Sequence, residues 1–384
     1  MKGLYISLDH NISKDMIDDT SALSNGIERK IVNQYRCLST VSDVEIICPY
    51  SSRIHRIHSI VRRLPLSWIR PLKKGLIKQA LQVNYIYLRR PWFINGDVFF
   101  FLKKIKKKNP LIKVILELPT YFENSNSKKS ETNHIHMLPL AIKDQYWMPR
   151  ICKYVDRIVT FSKDDMIYGI KTIKTCNAID TNTIKPIKKT TISSDELNLI
   201  ACSSLAFWHG YDRVIEGIKK YYDEGGKVNI KFHVVGYGEE FEKYVDMQKK
   251  YNLNKNVILY GYKSGKELEE IYDKADIALD SMGRHRSGVY YNSSLKGKEY
   301  VAKGIPVISG VETELDYDKS FQYYMRIPAD DSPLDMNEVI AFFTNIYYSG
   351  KERKDIIRDI SEYAKKHFSF EKAFSPVLDY ISEN

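Results

Sequence analysis

The chain has 384 residues, 43% hydrophobic and 12% aromatic, enough for packed interiors and too much for wholesale disorder. That length exceeds one comfortable core and predicts two domains, and the net charge of +11 asks for an anionic partner. Five scattered cysteines (Cys37, Cys48, Cys152, Cys176 and Cys202) show no CxxC spacing, which excludes a zinc ribbon or disulfide scaffold and predicts a reducing compartment.

The first residues, MKGLYISLDHN, turn polar too early for a signal peptide, and no run of about 18 apolar residues follows. A cytoplasmic protein is expected. Short apolar runs then alternate with amphipathic helical stretches, the pattern of α/β layering. In the first half, strands are predicted at 3–8, 44–48, 85–87, 113–118 and 157–161. Helices are predicted at 26–39, over much of 58–82, at 97–108 and at 144–154. Gly26 follows the first strand and opens a helix, where a missing Cβ lets a phosphate approach the backbone.

Residues 51–110 hold fifteen Lys/Arg against one acid, Asp97, interleaved with aliphatics and Trp68. This mixture suits an anionic membrane surface, where each nearby cation is worth about 1 kcal/mol. The plainer reading is a solvated face of ordinary helices. No nucleic-acid motif accompanies the charge, so no nucleic-acid partner is expected. The fourth strand ends in ILELPTYFENSN (115–126), which places Glu117, Thr120, Tyr121 and Glu123 at its carboxyl end. Glu117 and Tyr121 are candidates for chemistry there, although Glu117 could equally be a buried structural acid. His134 and His136 lack a third ligand and read as surface residues.

The polar stretch 185–197 is the expected linker. Beyond it, strands are predicted at 197–202, 231–235, 257–260, 277–280 and 306–309. The helices between them fall at 211–224, 239–251, 265–275 and 295–303, and the tail is helical at 351–367 and 370–381. The expected domains are 1–190, 191–366 and a final helix, 367–384, packing back on the first. Open α/β sheets bind ligands at strand carboxyl ends. The one DxD triplet, Asp316-Tyr317-Asp318, sits in a late polar loop rather than at such an end, so no metal is expected.

Residues 282–308, MGRHRSGVYYNSSLKGKEYVAKGIPVI, carry the strongest signal. Ser293-Ser294 read as N-cap residues and Gly304 as the helix stop. A helix start offers unpaired N–H groups and a positive dipole end, and Arg284, His285, Arg286 and Lys296 add charge beside it. The combination predicts a diphosphate cradle.

Several segments, in order and spacing, resemble the GT-B glycosyltransferases, specifically their retaining family 4. They are SNGIERKIVNQY (24–35), RIVTFSKDD (157–165), NAIDTNTIKP (177–186), FHVVGYGEEFEKYVDMQKKYNL (232–253), NVILYGYKSGKELEEIYDKADIALDS (256–281) and KEYVAKGIPVI (298–308). The resemblance implies two Rossmann-like domains with parallel sheets facing each other across a cleft, and a nucleotide-sugar donor held mainly by the second. Glu299 matches the second of the family's paired glutamates, which binds ribose hydroxyls. Asn292, Ser293, Ser294 and Leu295 fall where backbone N–H groups meet the donor diphosphate, with Lys296 one step into the helix. Gly236 and Gly238 match the family's glycine turn, and Tyr262 and Lys263 its base-contacting loop.

Three departures stand out. Tyr291 replaces the first glutamate, Ser204 and His209 replace an arginine and a lysine, and the loop after Met282 is enlarged. We therefore expect Arg284, Arg286, His209 and Lys296 to share the diphosphate, with Glu117, Tyr121, Arg286 and Lys296 as catalytic candidates. The basic, Trp-containing 51–110 region suggests a lipid-linked oligosaccharide acceptor and a peripheral site on the inner face of the plasma membrane, and the family likeness implies bacterial capsule, O-antigen or exopolysaccharide synthesis. A GT-B nucleotide-sugar epimerase and a non-catalytic nucleotide-sugar-binding homologue are the alternatives.

Overall fold

A computed structural model describes residues 1–19, 26–49, 74–91, 93–118 and 138–383. The chain divides into two units, Met1–Ala178 with Phe370–Asn384, and Ile179–Ser369. In unit 1 the elements are β1 (Lys2–Ser7), α1 (Lys14–Asp18), α2 (Gly26–Ser39), β2 (Asp43–Ile47), α3 (Lys74–Ala80), β3 (Tyr85–Arg89), α4 (Gly96–Lys108), β4 (Lys113–Leu118), α5 (Leu138–Ile151), β5 (Arg157–Thr160), β6 (Met166–Ile167) and β7 (Ile170–Lys174). Their seven strands form one sheet in the order β2-β1-β3-β4-β5-β7-β6, parallel except for the β6–β7 hairpin. Strands such as YIYLR and KVILEL are buried nearly end to end because helices cover both faces of a parallel sheet. Of the region 58–82, where a helix is expected, residues 58–73 lie outside the described residues and α3 covers Lys74–Ala80. The one expected at 144–154 starts earlier, at Leu138.

Unit 2 contains β8 (Glu196–Cys202), α6 (Asp212–Asp223), β9 (Asn229–Val235), α7 (Phe241–Lys250), β10 (Val257–Leu259), α8 (Gly265–Tyr272), β11 (Ile277–Leu279), α9 (Leu295–Ala302), β12 (Val307–Ser309), β13 (Tyr324–Arg326), α10 (Met336–Tyr347) and α11 (Arg353–Phe368). The sheet order is β10-β9-β8-β11-β12-β13, all parallel. From β8 the chain runs outward one way through β9 and β10, then returns to β11 and runs out the other way. The order therefore reverses between β8 and β11, and a crevice is expected at their carboxyl ends. The polar 185–197 stretch is fastened to this unit. Lys188 N–H donates to Asp273 at 2.8 Å and Lys189 Nζ to Asp276 at 2.7 Å.

The last helix, α12 (Phe370–Ser382), belongs to unit 1. Phe370, Phe374, Val377 and Ile381 form a helical stripe that joins Tyr5, Ile31, Tyr85 and Tyr87 in one apolar cluster.

Glu117, at the end of β4, is fully buried in unit 1. Its carboxylate accepts from Arg89 Nη1 at 2.6 Å and Tyr87 Oη at 2.8 Å, and Lys30 Nζ lies 3.2 Å away. Burial favours the neutral acid, but Arg89 and Lys30 outweigh it and hold the pKa near about 2. Of the two roles the sequence left open for Glu117, a candidate for chemistry or a buried structural acid, its burial and ion pairs fit the structural one. An unfolded glutamate takes its proton near 4.5, so the stabilisation is complete above that pH and is lost as pH falls toward about 2. Acid unfolding followed by circular dichroism should show this loss in the native chain and not in Glu117→Gln. The variant should be less stable at neutral pH by about 3–5 kcal/mol, because two buried cations lose their carboxylate.

Candidate functional site

The loops after β8, β9 and β11 meet at the carboxyl edge of the unit 2 sheet, beside its reversal point. Gly236 has φ +124°, and a Cβ there would lie 1.8 Å from the Ser203 carbonyl oxygen. One on Gly238 would lie 1.8 Å from the Ser204 oxygen, and one on Gly210 (φ +64°) 2.5 Å from the Gly283 nitrogen. No side chain fits at these positions. Gly236 and Gly238, expected to face the donor, therefore serve loop-on-loop packing in this structure.

The start of α9 is built as its sequence predicts. Ser294 is the N-cap: its Oγ accepts from Gly297 N–H at 3.2 Å and donates to Asp280 Oδ1 at 2.8 Å. Lys296 Nζ lies 3.1 Å from Tyr211 Oη, 3.4 Å from Ser281 Oγ and 3.5 Å from Asp280 Oδ1. Burial would lower its pKa, but Tyr211 and Asp280 outweigh it and hold the amine above its ordinary value. Lys296 therefore remains a cation, half-buried at a helix N-terminus.

His209 is buried and feels the charges of Lys296 and Arg284. Burial first, then these charges, push its pKa down to about 2. Its Nδ1 accepts from Ala206 N–H at 2.9 Å, which places the proton of the neutral ring on Nε2. The ring stacks on Tyr211, with centroids 5.7 Å apart. His209 can thus offer one N–H donor but not the positive charge expected of it. Arg284 lies over the Trp208 ring at 5.4 Å.

Arg286 has a different task from the one expected. Its Nη1 donates to Asp212 at 2.9 Å and to the Phe207 carbonyl at 3.2 Å, and its Nε to Asp331 at 2.6 Å. Burial works against the charge, yet the two carboxylates outweigh it and raise the pKa. With two carboxylates already on one guanidinium, Arg286 is a clamp joining the 284–287 turn to α6 and the 328–332 loop. His285 also reaches Asp331, at 3.2 Å.

Among the remaining predicted residues, Ser293 is buried and accepts from Lys298 Nζ at 2.8 Å, and Lys298 pairs with Glu314 at 3.0 Å. Asn292 donates its backbone N–H to the Glu312 carbonyl at 2.8 Å, so that group is engaged within the protein. Leu295 is exposed at the helix start, and Glu299 is half-buried one turn further. Tyr262 is 78% exposed, and Lys263 pairs with Glu267 at 2.9 Å. In unit 1, Gly26 begins α2, and a Cβ there would meet nothing within 4 Å. Tyr121, with Thr120, Glu123, His134 and His136, lies outside the described residues.

Sequence reasoning missed Asp280, Tyr211 and Asp331. Asp280 carried a usable signal: an acid directly after the buried strand Ile277–Leu279. Asp331, in a polar loop, carried none.

Residues 183–310 match the model of the glycosyl transferases group 1 family. No curated protein matches the chain in sequence. Solved structures share its fold along nearly its whole length. A glycosyltransferase from Rickettsia africae is 13% identical, with 99% of this chain and 97% of that one covered and a TM-score of 0.59. HepE of Anabaena in complex with UDP is 11% identical, covered over 100% of both chains, with a TM-score of 0.58. The lipopolysaccharide outer core galactosyltransferase WaaB is 15% identical, with 99% of each chain covered and a TM-score of 0.57. The chain therefore has the α/β fold of the GT-B glycosyltransferases, and its residues 183–310 match the group 1 glycosyl transferase model.

Proposed function

We propose that the chain is a retaining, metal-independent glycosyltransferase that moves a hexosyl group from a nucleotide sugar to a lipid-linked saccharide. The observation that carries the donor half is the meeting of Lys296, Arg284, the Nε2–H of neutral His209 and the N-terminus of α9 beside the β8/β11 reversal. These groups suit a leaving nucleoside diphosphate, whose charge grows as the glycosidic bond breaks. Glu299, one turn along the same helix, suits the ribose hydroxyls. Complexes of HepE with UDP, with UDP and glucose, and with UDP-glucose support a uridine nucleotide as the first donor to try.

The acceptor half rests on unit 1. On α4 and α5 the acids Asp97 and Asp144 are buried, whereas Lys103, Lys104, Lys107 and Lys108 are exposed. Phe100, Ile142 and Tyr146 are exposed on the same two helices, at 41, 58 and 51%, with Phe100 and Trp147 rings 6.1 Å apart. Exposed cations beside apolar and aromatic groups favour an anionic bilayer surface. Among the described residues no helix is long and apolar enough to cross a membrane. A peripheral enzyme of bacterial surface-polysaccharide assembly fits this reading. The segment 51–73, part of the same basic stretch, lies outside the described residues.

Nucleoside diphosphate release from UDP-sugars without acceptor separates an enzyme from a non-catalytic binder. Lys296→Met should lower that turnover by about 100-fold, the loss of one charged contact to the transition state. Glu299→Ala should weaken UDP about tenfold by calorimetry, the equivalent of about 1.4 kcal/mol. Arg286→Ala should instead lower the melting temperature by several degrees and leave UDP affinity within about twofold, since it removes a loop clamp. Sedimentation with phosphatidylglycerol vesicles should capture the protein at low salt and release it at high salt. No capture at low salt would sink the membrane proposal.

A further inference from the structure

Asp280 follows β11 and is 1% exposed. A buried carboxylate is destabilising unless other groups satisfy it. Here only half of it is satisfied: Oδ1 accepts from Ser294 Oγ at 2.8 Å, while Oδ2 accepts no hydrogen bond from any described residue. Oδ2 lies under the first turn of α9, 3.4 Å from where a Gly297 Cβ would stand. The positive end of the helix and Lys296, 3.5 Å from Oδ1, are the charges that oppose it.

Lys296, in the first turn of α9, carries its amine on a four-carbon stem that loses about 2 kcal/mol of rotamer freedom when fixed. Its Nζ is nevertheless met by three oxygens from two loops, Tyr211 Oη at the start of α6, and Ser281 Oγ and Asp280 Oδ1 after β11. Of the three, only Asp280 is an acid at the end of its strand, and the same oxygen holds the N-cap serine. One carboxylate oxygen thus orients both the helix start and the cation beside it. A half-satisfied buried carboxylate is a poor stabilising device, which points to a task other than stability.

On the diphosphate reading given above, we propose that Asp280 is a positioning residue, holding Lys296 and the Ser294 cap in register for the donor's phosphates. It touches no substrate itself and acts through Lys296. A negative charge near an anion site would, acting alone, weaken phosphate binding. Positioning and simple charge therefore predict opposite signs on its removal.

Calorimetric titration of the whole protein with UDP and with uridine reads that sign. Asp280→Asn keeps the side-chain size and an oxygen for Ser294 while removing the charge. It should bind UDP about tenfold more weakly and leave uridine binding unchanged. Added to Lys296→Met, it should cost nothing further, because both changes break one unit. Tighter UDP binding in Asp280→Asn, equal losses for UDP and uridine, or losses that add in the double variant would each overturn the proposal. Should Asp280→Asn fail to fold, Tyr211→Phe in the same cycle removes another oxygen from the cation, and the same non-additivity is required. A wild-type chain that binds none of UDP, ADP or GDP overturns the diphosphate reading and the positioning role with it. A chain that binds UDP indifferently to Asp280 and Tyr211 overturns the positioning role alone.

Discussion

Backbone touching backbone at the carboxyl edge of the unit 2 sheet is the constraint on which the rest of the site depends. The carbonyls of Ser203 and Ser204 press against Gly236 and Gly238, and Gly210 presses against Gly283. Hydrogen bonds then lock the arrangement: Met282 N–H donates to the His209 carbonyl at 2.7 Å, and buried Arg213 donates to the carbonyls of Met282 and Ser332. Loops so packed have little freedom of their own. The side chains they carry, His209, Tyr211, Asp280 and Arg284, are therefore held by the sheet rather than by flexible linkers.

That rigidity decides the charge of each group. A solvent-exposed His209 would titrate near its ordinary value, but burial and the charges of Lys296 and Arg284 leave it neutral. Arg286 lies in the same loop as Arg284 and differs from it in its neighbours, Asp212 and Asp331. Residue type alone could not separate an arginine lying over an aromatic ring from one that clamps two carboxylates. Electrostatic role here is a property of the partners and not of the side chain.

The local features were legible because their causes are local. The Ser294 cap and the Gly304 stop, with φ +77°, follow from a few adjacent residues and one helical turn. The apolar strands of both parallel sheets announce themselves as continuous runs. Long-range pairs left no such trace: Arg286 meets Asp212 and Asp331 across 74 and 45 residues, and Glu117 meets Arg89 across 28. Glu117 was recognisable as a strand-end acid, yet nothing nearby revealed that Arg89 and Lys30 enclose it. β6, β7 and β13 escaped because MI, IKTIK and YMR lack the continuous apolar run that marks the short strands VIL, IAL and VIS.

The return of α12 to unit 1 has a consequence for the order of assembly. Tyr5, Ile31 and Tyr87 near the beginning of the chain complete their apolar cluster only with Phe370, Phe374, Val377 and Ile381. During synthesis those residues emerge after every strand of unit 2. Unit 1 is therefore made first but can complete the packing of this cluster only once the last helix has left the ribosome.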